Sequence, residues 1–148
     1  MKAEDFMTKN VISCNENSTV KQAAEIMLEH GVGGLPIVND AGDLVGILTE
    51  SDFVGKKVDI PHALVSMKQL FGETFFHGSV DDIFAKAKDY KLHDVMTKNP
   101  ITVAPDASLT EVSTQMLERK INRLPVEKDG KLIGFITRKD LLRAFIKL

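Results

Sequence analysis

The chain repeats itself. Asp5-Phe6-Met7-Thr8-Lys9-Asn10 returns as Asp94-Val95-Met96-Thr97-Lys98-Asn99. In that register Met27-Leu28-Glu29 aligns with Met116-Leu117-Glu118, Leu35-Pro36 with Leu124-Pro125, and Asp40 with Asp129. After one extra residue in the first copy, Gly42, Leu44, Gly46, Thr49 and Asp52 align with Gly130, Leu132, Gly134, Thr137 and Asp140. This repetition constrains the fold more than any other feature. A unit of about fifty residues makes only a marginal core alone. The 148 residues therefore divide into repeat 1 over 1–54, an intervening segment over 55–92 and repeat 2 over 93–148. The two copies are expected to pack through their sheets and share one core.

Each copy reads as β-α-β-β-α, an α/β (α+β) pattern. Val11-Ile12-Ser13-Cys14 and Ile101-Thr102-Val103 are short β-prone runs. A helix follows with a start signal in both copies: Thr19 with Gln22, and Ser108 with Glu111, have capping-box spacing. The apolar stripes that follow are Val20, Ala23, Ala24, Met27, Leu28 and Leu109, Val112, Met116, Leu117, one helical face each. Leu35-Pro36-Ile37-Val38 and Leu124-Pro125-Val126 predict the next strands. Asn39 to Asp43, and Lys128-Asp129-Gly130-Lys131, carry hairpin residues. Leu44 to Leu48 and Leu132 to Ile136 are nearly continuous apolar runs, as expected of strands covered on both faces. A last helix starts after Thr49 and after Thr137. The intervening segment predicts two further helices. One begins near Pro61 and runs through Leu64, Met67 and Leu70 to Gly72. The other opens at Ser79 and carries Val80, Ile83, Phe84 and Ala87. Phe71, Phe75 and Phe76 crowd between them.

Composition excludes several function classes. Nineteen basic and twenty-one acidic residues leave a net charge of −2, unlike the basic excess of a general nucleic-acid binder. Trp is absent and aromatics are 6 %, too few for a base-stacking platform. No apolar run reaches the ~18 residues of a membrane span, and the charged N-terminus predicts a cytoplasmic protein. Cys14 is the only cysteine, so no internal disulfide and no cysteine-based zinc site is expected; a small buried thiol is. The histidines, His30, His62, His77 and His93, are scattered. No phosphate-binding Gly-Lys-Ser/Thr loop, nucleophile elbow or His-Glu-x-x-His motif occurs. No catalytic residue, metal site or catalytic cofactor is expected.

Particular residues carry a family resemblance. Thr49-Glu50-Ser51-Asp52 and Thr137-Arg138-Lys139-Asp140 each follow a Gly-x-x strand. They resemble the Gly-φ-φ-Thr-x-x-Asp ending of cystathionine-β-synthase (CBS) domains, φ being apolar. Leu35-Pro36-Ile37-Val38 and Arg123-Leu124-Pro125-Val126 are similar to the φ-Pro-φ-φ strand of that family, and the Asp-φ-Met-Thr openings match as well. The resemblance covers both repeats. It implies a tandem pair that binds an adenosine-containing ligand (AMP, ADP, ATP or S-adenosylmethionine) in clefts between the repeats. It also implies a homodimer that controls a separate effector protein. The intervening segment resembles an insertion carried by some bacterial stand-alone pairs.

The residues suit that role chemically. A carboxylate can accept both hydroxyls of a ribose diol, which makes Asp52 and Asp140 the ribose candidates. Their other reading is a helix cap, since a carboxylate also suits a helix N-terminus. Thr49, Ser51 and Thr137 can add hydroxyl bonds or cap the same helices. The resemblance places Asn122 and Arg123 at the phosphate region of repeat 2, and Gly33 and Gly34 at that of repeat 1. Arg138 and Lys139 are further phosphate candidates. The adenine slot of the Asp140 cleft is expected from Ile12, Val32 and Gly33, and that of the Asp52 cleft from Ile101, Thr102, Ile121 and Asn122. Charge is uneven: residues 119–148 carry nine basic and three acidic side chains, net +6, leaving −8 for residues 1–118. A positive region steers anions, so the Asp140 cleft is the expected better site for phosphorylated ligands. The expected function is a regulatory adenosine-ligand sensor. The alternative is a ligand-independent adaptor with a partner surface on the Phe-rich segment. Neither reading includes a nucleic acid or a membrane as partner.

Overall fold

The computed structural model describes residues 1–53, 85 and 87–148. The helices expected from Pro61 and Ser79, and the cluster of Phe71, Phe75 and Phe76, lie outside the described residues, apart from Ala87, which is buried. In chain order the elements are α1 (Ala3–Phe6), β1 (Cys14–Asn15), α2 (Val20–His30), β2 (Gly34–Val38), β3 (Leu44–Thr49), α3 (Glu50–Phe53), α4 (Leu92–Val95), β4 (Thr97–Lys98), α5 (Leu109–Arg119), β5 (Arg123–Lys128), β6 (Lys131–Thr137) and α6 (Arg138–Lys147). The α/β repeat pattern is present in both copies.

Two compact units form. One comprises Met1–Ile12, Ala41–Leu44 and Pro100–Leu148; the other comprises Ser13–Asp40 and Val45–Asn99. The opening segment of each sequence copy thus belongs to the unit built mainly by the other copy. The sheets explain how. In the unit of Ser13–Asp40 and Val45–Asn99 the strand order is β1-β2-β3-β4. Strand β1 runs parallel to β2, with Cys14 opposite Ile37. Strand β4, from the opening of the second copy, runs antiparallel to β3. In the other unit β5 pairs antiparallel with β6, Arg123 opposite Thr137. Val103 bridges Val126 in parallel, and Thr8, from the opening of the first copy, bridges Phe135 antiparallel. Both sheets therefore share one order.

A glycine seats each opening segment. A Cβ atom at Gly134 would overlap Met7 Sδ and lie 2.9 Å from its Cγ. One at Gly46 would overlap Met96 Sδ and lie 3.0 Å from the Thr97 carbonyl. Each glycine leaves a notch in its strand, and the methionine of the Asp-φ-Met-Thr motif fills it. An unbranched thioether suits an irregular gap of this kind.

The helix starts follow the sequence signals. Gln22 N–H donates to Thr19 Oγ1 at 3.2 Å, and Thr19 N–H donates back to Gln22 Oε1 at 2.9 Å. Ser108 and Glu111 do the same at 3.1 and 2.6 Å. The Ser108 N–H, and then its hydroxyl, hold the Glu111 carboxyl below the ordinary glutamate range. A lowered carboxyl value means this cap supports the fold above the ordinary glutamate pKa. The support is lost as pH falls through the lowered value. The β5–β6 turn is the two-residue hairpin expected of Asp-Gly: Asp129 and Gly130 have φ of 53° and 80°, the two positive values of a type I′ turn.

The core of the first unit is Ala3, Phe6, Val103, Val112, Met116, Leu124, Val126, Ile136 and Ala144. In the second, Cys14, Val20, Ala23, Met27, Leu35, Ile37 and Leu48 are buried, so Cys14 is the small buried thiol expected. Two expected core residues are not. Leu28 is 84 % exposed and Leu117 79 %. Both sit at the last position of their stripe, one residue (about 100° of turn) past a buried methionine. The sheet covers only the near side of that arc. Leu142, Phe145 and Ile146 on α6 are exposed as well.

Candidate functional site

Each unit contains one strand-to-helix joint ending in the Thr-x-x-Asp motif. In the unit with repeat 1, β3 ends at Thr49 and α3 begins at Glu50. Thr49 N–H donates to Asp52 Oδ2 at 2.7 Å, with the Thr49 hydroxyl 3.4 Å from the same oxygen. The hydroxyls of Thr49 and Ser51 are 2.8 Å apart. Glu50 N–H donates to the Gly33 carbonyl at 3.0 Å. That bond ties the end of β3 to the segment before β2 and sets Val32 and Gly33 beside the joint. A cleft of about 540 Å³ flanks it, lined by Ala24, Met27, Leu28, Gly31, Val32, Glu50 and Phe53. Its walls are mostly apolar, and its size falls within the range of small-molecule sites.

In the other unit β6 ends at Thr137 and α6 follows. Asp140 is buried, 1 % exposed, and its carboxylate is fully engaged. Oδ2 accepts from Thr137 N–H at 2.8 Å and from the Thr137 hydroxyl at 2.9 Å. Oδ1 accepts from the Thr8 hydroxyl at 3.2 Å and from Arg143 Nη1 at 2.7 Å. The cap reading of both aspartates is therefore realised, since each accepts the N–H of the residue that precedes its helix. Arg123 stands opposite Thr137 in the β5–β6 ladder, so Ile121, Asn122 and Arg123 lead into the strand beside this joint. Arg138, Lys139 and Asn122 are exposed. Ile12, Ile101 and Thr102 belong to this unit; Val32 and Gly33 belong to the other.

Sequence reasoning missed Thr8, Arg143, Glu50 and Phe53. Arg143 had a signal, since i,i+3 spacing from an aspartate brings a guanidinium onto the same helix face. Thr8 had only its place in the repeated motif. Among the described residues no group of three or more His, Cys, Asp or Glu could hold a metal ion. No helix among them is long and apolar enough to cross a membrane.

Two units, each closing a Gly-x-x strand with a Thr-x-x-Asp joint, define a class of tandem domain. The CBS domain profile matches residues 3–59 and 92–147, and the chain belongs to the CBS domain family as a tandem pair. It is 32 % identical over 141 residues to the uncharacterized protein YlbB of Bacillus subtilis, covering 95 % of this chain and 79 % of that one. Of solved structures, CBSX2 of Arabidopsis thaliana in complex with AMP is 29 % identical, with a TM-score of 0.74 over 99 % of this chain and 96 % of that one. The CBS domain pair of protein MJ0100, in complex with 5′-methylthioadenosine and S-adenosyl-L-methionine, is 26 % identical, with a TM-score of 0.70 over 99 % of this chain and 97 % of that one. The chain spans less than two thirds of several curated relatives it matches, including 23 % of an inosine-5′-monophosphate dehydrogenase of Korarchaeum cryptofilum.

Proposed function

We propose that this chain is a sensor of an adenosine-containing small molecule and has no catalytic activity of its own. The observation that carries the reading is the pair of Thr-x-x-Asp joints in one register, on a fold whose solved relatives hold AMP in one case and methylthioadenosine with S-adenosylmethionine in another. Asp52 and Asp140 take the ribose hydroxyls. Thr49, Ser51 and Thr137 add hydroxyl bonds. Arg123, Asn122, Arg138 and Lys139 receive phosphate. Val32, on the apolar cleft beside Thr49, and Gly33, Ile12, Ile101, Thr102 and Ile121 supply adenine contacts. Repeat 1 (1–54), the intervening segment (55–92) and repeat 2 (93–148) remain the working division of the chain. Ligand shifts a population of conformations, and a cytoplasmic effector protein reads the result.

Thermal unfolding with AMP, ADP, ATP and S-adenosylmethionine tests this. A ligand at about a hundred times its Kd adds roughly 2.7 kcal/mol, several degrees in Tm. The gain is expected to shrink in Asp52→Asn. No rise with any of the four compounds would sink the reading.

Homodimerisation belongs to the same proposal. Its support is the exposed apolar row of Leu142, Phe145 and Ile146 on α6. Sedimentation equilibrium is expected to give a dimer for the unmodified chain and a monomer for Phe145→Asp. A monomer in both cases would remove it.

A further inference from the structure

Two helical surfaces, one in each unit, carry opposite charge. Helix α6 has four cations and one anion; α2 and α3 together have four anions and one cation. Each surface also exposes large apolar side chains. On α6, Leu142, Phe145 and Ile146 are 64, 73 and 81 % exposed. Phe145 is the only aromatic among the large apolar side chains exposed in the described residues. Arg138 and Lys139 lie four and three residues before Leu142, on the same side of the helix, and both are exposed. The cleft beside Thr49 supplies the other surface. Leu28 and Phe53 line it from α2 and α3, and Leu28 is 84 % exposed. Glu29, next to Leu28, and Glu50, on the cleft, are exposed as well.

We propose that these two surfaces recognise each other between copies of this chain. Phe145 of one copy packs against Leu28 and Phe53 of a second copy, with Arg138 and Lys139 facing Glu29 and Glu50. This deepens the dimer reading above and rests on it. That reading puts α6 at the interface; charge decides what α6 meets there. Two α6 helices face to face would set four cations against four, and two α2–α3 surfaces would do the same with anions. Pairing each surface with the other turns the same charges into attraction and fixes which part of the partner is met. An exposed aromatic against an apolar recess is the kind of anchor on which association energy concentrates.

Sedimentation equilibrium without nucleotide, at low ionic strength where surface charges are least screened, tests this with paired charge reversals. Glu29→Lys with Glu50→Lys makes both surfaces basic; Arg138→Glu with Lys139→Glu makes both acidic. Either pair alone is expected to weaken self-association roughly tenfold or more. All four reversals in one chain are expected to restore it. Self-association unchanged by either pair assigns like-with-like pairing and overturns the proposal, while the dimer reading stands. Weakening by only one of the two pairs, or no recovery with all four reversals, overturns it as well. A monomeric unmodified chain overturns the dimer reading and this inference with it.

Discussion

Asp140→Ala is expected to cost about 2–3 kcal/mol of folding stability, because it leaves the part-buried donors of Thr137 without an acceptor. The groups stranded are Thr137 N–H and the Thr137 hydroxyl; Thr8, an exposed residue, and Arg143 turn to water at little cost. The loss corresponds to roughly 4–12 °C in Tm for a chain of this size. Asp140→Asn keeps one acceptor and most of the shape, so it should lose about half as much. Arg143→Met, changing an exposed side chain, should stay within about 0.5 kcal/mol. Urea unfolding of the three variants checks the order. An Asp140→Ala chain as stable as the unmodified one would mean that the carboxylate does not hold the joint.

The second large effect lies at the glycine notches. Gly46→Ala and Gly134→Ala each place a methyl group on the methionine docked there, and overpacking of this kind costs about 1–3 kcal/mol. The two sites should respond differently to relief. At Gly134 every close neighbour belongs to the Met7 side chain, so Met7→Ala should recover part of the loss. At Gly46 the Thr97 carbonyl is also close, and Met96→Ala cannot move a backbone oxygen. A double-mutant cycle by denaturant unfolding should give a favourable coupling of at least about 0.5 kcal/mol for Met7 with Gly134. It should give a smaller one for Met96 with Gly46. Equal couplings, or none, would contradict the notch description.

Much of this is legible in the sequence. The repeat gave the two halves, Thr19-x-x-Gln22 and Ser108-x-x-Glu111 their helix starts, and Asp129-Gly130 its hairpin. Each of these is a local signal, closed within a few residues. Thr49-x-x-Asp52 and Thr137-x-x-Asp140 were legible as candidates for the same reason, including their double meaning as cap and ligand group. The rest depends on distant pairing. Nothing near Thr8 announces that it bridges Phe135, or that its hydroxyl reaches an aspartate 132 residues later. Periodicity located the apolar arc of α2 and α5 but could not say how far the sheet extends beneath it. Leu28 and Leu117 were therefore misplaced.

The crossed openings carry one more consequence. A chain holding only residues 93–148 would keep β5, β6 and α6 but lose Met7, leaving an empty notch at Gly134 and the Phe135 edge unpaired. The opening of a second identical chain, Asp94-Val95-Met96-Thr97, would close both in a segment-exchanged dimer. The tandem sequence makes that exchange internal: duplication joins lender and borrower in one polypeptide, at an effective concentration no free partner matches.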